Sequence, residues 1–247
     1  MNILVSITSY HKDKEKYVYQ ILRSYEDIAV QLGCKIDIIM SSYYEHSYVT
    51  KNNLILNKSD YVGEFHCWSN TKYIMENFKN YDYIIESDDD ILISLNNIKQ
   101  YMKYESMDLC YIPGFIVTED HNVNKKTYIH SMLFNKPPHI TDKVVLNNQI
   151  WFIPHTKHAA CYMIDRVRLE TYLDKNQMAV IPKGIDVLDI QCTARSEIYY
   201  YFKKMINLNE LDNHLVKHLP NKYLHSNIFP VDQYRTVEFW KDHINII

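Results

Sequence analysis

Glycine is scarce, with four residues in a chain of 247. That argues against a Gly-rich phosphate loop as the binding device of any nucleotide site. The five cysteines, Cys34, Cys67, Cys110, Cys161 and Cys192, lie tens of residues apart. No CxxC or Cys/His spacing suggests a zinc site, and an odd, unclustered set reads as free thiols in a reducing compartment. No stretch approaches the ~18 apolar residues of a membrane span. Met1–Tyr10 lacks the charged and apolar regions of a secretory leader. A cytoplasmic protein is expected, free or peripheral to a membrane, with no transmembrane segment. Lys and Arg are dispersed and the formal net charge is −3, so nucleic acid is not an expected partner. No internal repeat or low-complexity linker divides the chain.

What is present is an ordinary globular balance, 47% hydrophobic and 23% charged, long enough to bury a substantial core. Tyrosine is unusually common at 22 residues, a bias that coding composition explains as readily as function. Ile3-Leu4-Val5-Ser6-Ile7 is a nearly continuous apolar run and predicts a buried strand. Tyr17, Val18, Ile21, Leu22, Tyr25, Ile28, Ala29 and Leu32 recur at three- and four-residue steps, which predicts a helix stopped by Gly33. Lys35–Met40 predicts a second strand. Strand, helix and strand in succession make a βαβ unit and hence a parallel sheet.

Downstream, Trp68–Phe78 has helical spacing, and Asp60–Phe65 reads as extended. Tyr81–Glu86 is a strand running into Ser87-Asp88-Asp89-Asp90. Leu95–Tyr104 predicts a helix and Leu109–Val117 a strand, despite Pro113. Glu119–Asn148 reads as loops with a hairpin around Tyr128–Phe134. Strands are expected at Gln149–Ile153, Ala159–Ile164 and Leu215–His218, and helices at Arg166–Leu173 and Val187–Lys204. The expectation is one α/β domain, residues 1–247, with halves 1–104 and 105–247.

The acid run carries the chemistry. Residues two apart in extended chain share a side, so Asp88 and Asp90 can face one ion. Hard carboxylate oxygens suit Mg²⁺ or Mn²⁺. Ligands of open α/β sheets lie beyond the carboxyl ends of the strands, where this run falls. A polar turn capping the next segment is the simpler alternative. Yet three consecutive acids without Lys or Arg nearby in sequence repel one another, and a bound cation removes that cost.

A βαβ unit followed by an apolar strand ending in an Asp-x-Asp motif resembles the GT-A fold of nucleotide-sugar-dependent glycosyltransferases. The resemblance covers Asn2–Tyr104, then more loosely Ala159–Asp165 and Gly184–Lys204. It implies a Rossmann-like, mostly parallel central sheet flanked by helices, with an acceptor-side C-terminal half. It also implies Mn²⁺ or Mg²⁺, a UDP- or GDP-sugar donor, and a glycan or other hydroxyl acceptor. Asp90 would ligate the metal, Asp88 would contact the metal or the ribose, and Asp89 would approach the sugar. Thr8, Ser9, Tyr10 and Ser42 would receive the nucleoside, and Lys72 would meet the diphosphate. Asp189 and Asp186 are candidates for the general base, with Glu197 a third, and capping of a helix start is their plainer reading. His218, or else His225, would complete the metal sphere. Trp68, Trp151 and Trp240 could stack on a sugar or base, although large aromatics are more often core anchors. Two other functions fit the same residues. One is a sugar-nucleotide nucleotidyltransferase, disfavoured by the glycine-free Thr8–Asp13 segment. The other is a non-catalytic nucleotide-binding module of the same fold.

Overall fold

A computed structural model describes residues 1–44, 48, 50–59, 63–122, 124–129, 140–154, 160–175, 197–220, 235–238 and 241. The fold is mixed α/β, in two compact units, each built from two separated stretches of chain. The first comprises 1–91 and 160–201, the second 92–159 and 202–247. This division differs from the expected sequential halves at 104/105. The chain leaves the first sheet after its fourth strand and returns to it at Ala160.

The first unit holds β1 (Asn2–Ser9), α1 (Glu15–Leu32), β2 (Lys35–Ser42), β3 (Asn53–Lys58), α2 (Thr71–Asn77) and β4 (Tyr83–Asp88). Strands β1, β2, β3 and β4 are all parallel, in the order β4-β1-β2-β3. β1 and β2 are buried over seven of their eight positions, the continuous pattern required of strands covered on both faces. α1 buries Val18, Ile21, Leu22, Tyr25 and Ile28, the stripe read from sequence. It ends on Gly33 at φ +60°, a left-handed cap whose N–H reaches Val30 O. β11 (Cys161–Asp165) then pairs antiparallel with β4 and feeds α4 (Arg166–Lys175), while α5 (Glu197–Tyr201) closes the described part of this unit.

The second unit contains α3 (Leu95–Lys103), capped by a reciprocal Ser94–Asn97 box. One of its sheets has the order β6-β12-β10-β9, with β6 (Tyr111–Pro113), β9 (Ile140–Leu146), β10 (Gln149–Pro154) and β12 (Lys203–Asn207). The other has the order β14-β8-β7-β13-β5, with β5 (Ile91–Leu92), β7 (Ile116–Asp120), β8 (Thr127–Ile129), β13 (Leu215–His218) and β14 (Arg235–Thr236). Ile129, Phe152, Ile206, Leu208, Leu211 and Val237 form a core drawing on both sheets.

Several expectations are corrected. Leu109–Val117 is not one strand: Pro113 ends β6 and the chain enters β7 in the other sheet. Between them Gly114 donates to Met205 O at 2.9 Å, and a Cβ there would meet Lys204 Cγ at 2.3 Å. The helix expected to Lys204 ends at Tyr201, and Lys203–Asn207 is β12. Gly63–Phe65 lies in a 3-10 turn rather than extended chain. The expected hairpin at Tyr128–Phe134 is described only through Ile129, where β8 pairs with β7. β9 and β10, in contrast, turn through Asn147 and Asn148, both at positive φ. Trp151 is a core residue at 1% exposure, meeting Tyr104 edge-on at 4.6 Å, and Trp68 is also buried. No described helix is long and apolar enough to cross a membrane.

Candidate functional site

The order β3-β2-β1-β4 contains a reversal. From β1 the chain moves outward through β2 and β3, then crosses back to lay β4 on the other side of β1. The crevice outside the carboxyl ends of strands on either side of such a reversal is where open α/β sheets bind ligands. Here those ends are Thr8-Ser9-Tyr10 and Asp88-Asp89-Asp90. Register places Thr8 opposite both Ser41 of β2 and Asp88 of β4, so the three strands end level.

Backbone hydrogen bonds hold the acid run at this edge. Asp88 N–H donates to Ala160 O at 3.1 Å, where the chain re-enters the sheet, and Tyr10 N–H donates to Asp89 Oδ2 at 3.1 Å. Ala160 has φ +51°, a left-handed conformation that costs a non-glycine residue about 1 kcal/mol. Asp89 and Asp90 are buried, at 1% and 6% exposure. Burial pushes the Asp89 carboxyl up to about 7; the Lys14 ammonium opposes that shift, and the neighbouring Asp90 and Asp88 add to it. Ser9 Oγ is fully buried and makes no well-formed hydrogen bond, although it lies near enough to Asp89 to draw its acidity the other way.

Lys14 corrects the expectation that nothing cationic offsets these acids. It ends a 3-10 turn, Lys12–Lys14, at the start of α1. Its Nζ pairs directly with Asp90 and lies 3.7 Å from Asp89 Oδ1. The βα connection that follows β1 delivers residue 14 to the edge where β4 ends, so a separation of 76 residues in sequence becomes an ion pair. Burial alone would lower the Lys14 pKa, but attraction by Asp90 and Asp89 outweighs it and the net shift is upward.

A second feature unanticipated from sequence is His66. It is fully buried, its Nε2 donates to Ser9 O at 3.0 Å, and its Nδ1 lies 3.0 Å from Ser69 Oγ. Tyr43, just past β2, stacks on the ring with centroids 4.1 Å apart, and Tyr10 meets it edge-on at 5.4 Å. Asn70 ties the start of α2 to β1 through Ser6 Oγ and Ile7 O. Ser42 Oγ is occupied in a local turn, accepting from Tyr44 N–H.

The other candidates fall elsewhere. Lys72 lies on α2 with its side chain 86% exposed, 4.0 Å from Glu76 one turn on. Asp186, Asp189, His225 and Trp240 lie outside the described residues, and Glu197 begins α5. His218 belongs to the second unit, where its Nδ1 bonds the buried Glu119 carboxylate of the adjacent parallel strand. Such a carboxylate orients an imidazole, as it does for many metal-binding histidines.

Among the described residues no three His, Cys, Asp or Glu side chains form a ready metal cage. Mg²⁺ commonly takes only one or two carboxylates from the protein and completes its shell with phosphate and water. Asp88 and Asp90, with hard carboxylate oxygens at the end of β4, fit that requirement. Comparison of the chain with known protein families and with curated proteins yields no match.

Proposed function

We propose that the chain is a metal-dependent glycosyltransferase of the GT-A type, moving a sugar from a UDP- or GDP-sugar to a hydroxyl acceptor such as a glycan. One observation carries this reading: the acid run leaves β4 beside the end of β1, at the reversal of strand order. In this reading Thr8, Ser9, Tyr10 and Ser42 line the nucleoside side of the crevice, and Asp88 and Asp90 hold Mn²⁺ or Mg²⁺. When bound, the dication supplies Lewis-acid stabilisation of charge developing on the departing diphosphate. Buried Asp89 anchors the Tyr10 amide and so keeps the ends of β1 and β4 together. Asp189, or Asp186, takes the acceptor proton as general base.

A second reading, a nucleotide-binding module without catalysis, draws on the Lys14 ion pairs, which balance the acids without any added ion. Calorimetric titration of UDP and GDP, with and without Mn²⁺, separates the two. The transferase reading expects Mn²⁺-dependent binding that Asp90→Asn abolishes while the unfolding midpoint stays close to wild type. Nucleotide binding that ignores both Mn²⁺ and Asp90→Asn would support the module. No binding of either nucleotide would remove both readings.

A further inference from the structure

The acid run has a partner built into the chain. Lys14 carries the charge sign a dication would carry and reaches the carboxylates proposed to hold one. Its backbone is helical, at φ −80° and ψ −6°, and its side chain is 14% exposed. The side chain is therefore largely buried, although not cut off from solvent. A four-carbon stem lets it withdraw to solvent without moving α1.

We infer that Lys14 is a tethered counter-ion which a dication must displace from Asp90 and Asp89, so that this one lysine sets the metal affinity of the site. The inference rests on the metal-site reading proposed above. Two cations within a few ångström of each other repel strongly in a half-buried setting, so both cannot keep the same carboxylate oxygens. Binding therefore exchanges one ion pair for another, and the affinity is the difference between them. Without a dication, Lys14 prevents the run from being an uncompensated cluster of buried negative charge. Ser9 Oγ is buried beside Asp89 and favours its charged form, so it belongs to the same polar cluster as the ion pair.

The test is Mn²⁺ binding, read from the electron paramagnetic resonance signal of free Mn²⁺, for wild type, Lys14→Met and Lys14→Arg. Methionine keeps much of the stem and removes the charge; arginine keeps the charge. Lys14→Met should bind Mn²⁺ tighter by about 10- to 100-fold, as expected for loss of one nearby positive charge. Lys14→Arg should bind no tighter than wild type, and Asp90→Asn in the Lys14→Met background should abolish the gain. Added Mn²⁺ should also raise the unfolding midpoint of Lys14→Met by more than that of wild type. Equal or weaker Mn²⁺ binding by Lys14→Met, with wild type still binding, overturns the inference and leaves the metal site standing. Absence of Mn²⁺ binding in all three proteins overturns the metal site and the inference together. Should Lys14→Met fail to fold, Lys14→Gln carries the same comparison.

Discussion

Acidification should destabilise the fold through one histidine. His214 is 1% exposed, in the 3-10 segment Leu208–His214 between β12 and β13. Its Nδ1 donates to Gly114 O at 2.8 Å, and its Nε2 accepts from Asn207 N–H at 3.1 Å and faces Gln100 Nε2 at 3.2 Å. The backbone N–H can only donate, so Nε2 has no place for a proton. Burial is the larger cause and draws the pKa from 6.5 down to about 4, further lowered by Lys204 and partly offset by the Gly114 carbonyl and Glu210. A base with a depressed folded pKa stabilises the fold fully above its unfolded pKa, and that contribution is lost as pH falls through the folded value. At 1.36 kcal/mol per pH unit, the full loss below pH 4 is about 3 kcal/mol, and about 2 kcal/mol of it falls between pH 7.5 and 5. Carboxylates add their own acid dependence, so the measurement is a difference. Urea unfolding of wild type and His214→Gln should be compared across pH 7.5 to 5. The variant starts less stable, having lost the ring that meets Trp151 edge-on at 6.0 Å. Wild type should nevertheless lose about 2 kcal/mol more than the variant over that range. Parallel pH profiles, or a His214 ring resonance titrating near 6.5, would refute the reasoning.

Asp89 should act with the opposite sign. In EDTA its carboxyl, raised from 3.8 to about 7, makes the fold lose up to about 4 kcal/mol as pH rises through that interval, and Asp89→Asn should flatten this limb in urea unfolding; an unchanged limb argues against a buried acid there. Gly114→Ala should cost about 1–3 kcal/mol in thermal or urea unfolding, because the new methyl meets the buried Lys204 stem; wild-type stability would mean that stem yields freely.

The legible parts of the fold are those whose burial leaves a mark along the chain. β1, β2 and β4 are covered on both faces and appear as apolar runs, and α1 shows its stripe at helical spacing. β3 escaped because Asn53–Lys58 is a half-exposed edge strand whose apolar run is only three residues long, Leu54-Ile55-Leu56, between polar neighbours. The start of β12, Lys203-Lys204, was absorbed into the preceding helix, whose inner side was read through Ile198 and Phe202. The Asn147-Asn148 turn was readable as a hairpin signal between Val-Val-Leu and Gln-Ile-Trp. The site divides the same way. Three adjacent acids at a strand end are conspicuous in one dimension. Lys14 and His66 belong to no motif, and only the βα connections and sheet register bring them to Asp90 and Ser9. The one available clue to Lys14 was its place in the first βα turn, at the edge where the acids had already been put.

The two units treat buried polarity differently, and that contrast bears on where function lies. In the second unit His214, Asn97 and Asn207 sit in complete networks: Asn97 donates to Asn213 O and Leu215 O, and Asn207 bonds Tyr104 and Gln149. Such groups specify a fold and ask for nothing more. At the β1–β4 edge of the first unit the opposite holds. Asp89 is buried at a cost to the fold, the buried Ser9 hydroxyl favours its charged form, and Ala160 holds a left-handed backbone beside Asp88. A buried carboxyl and a left-handed backbone at one strand edge are hard to explain by folding alone, because apolar or unstrained replacements would be more stable. In the proposed reading, a bound dication relieves the cost of the buried carboxyl.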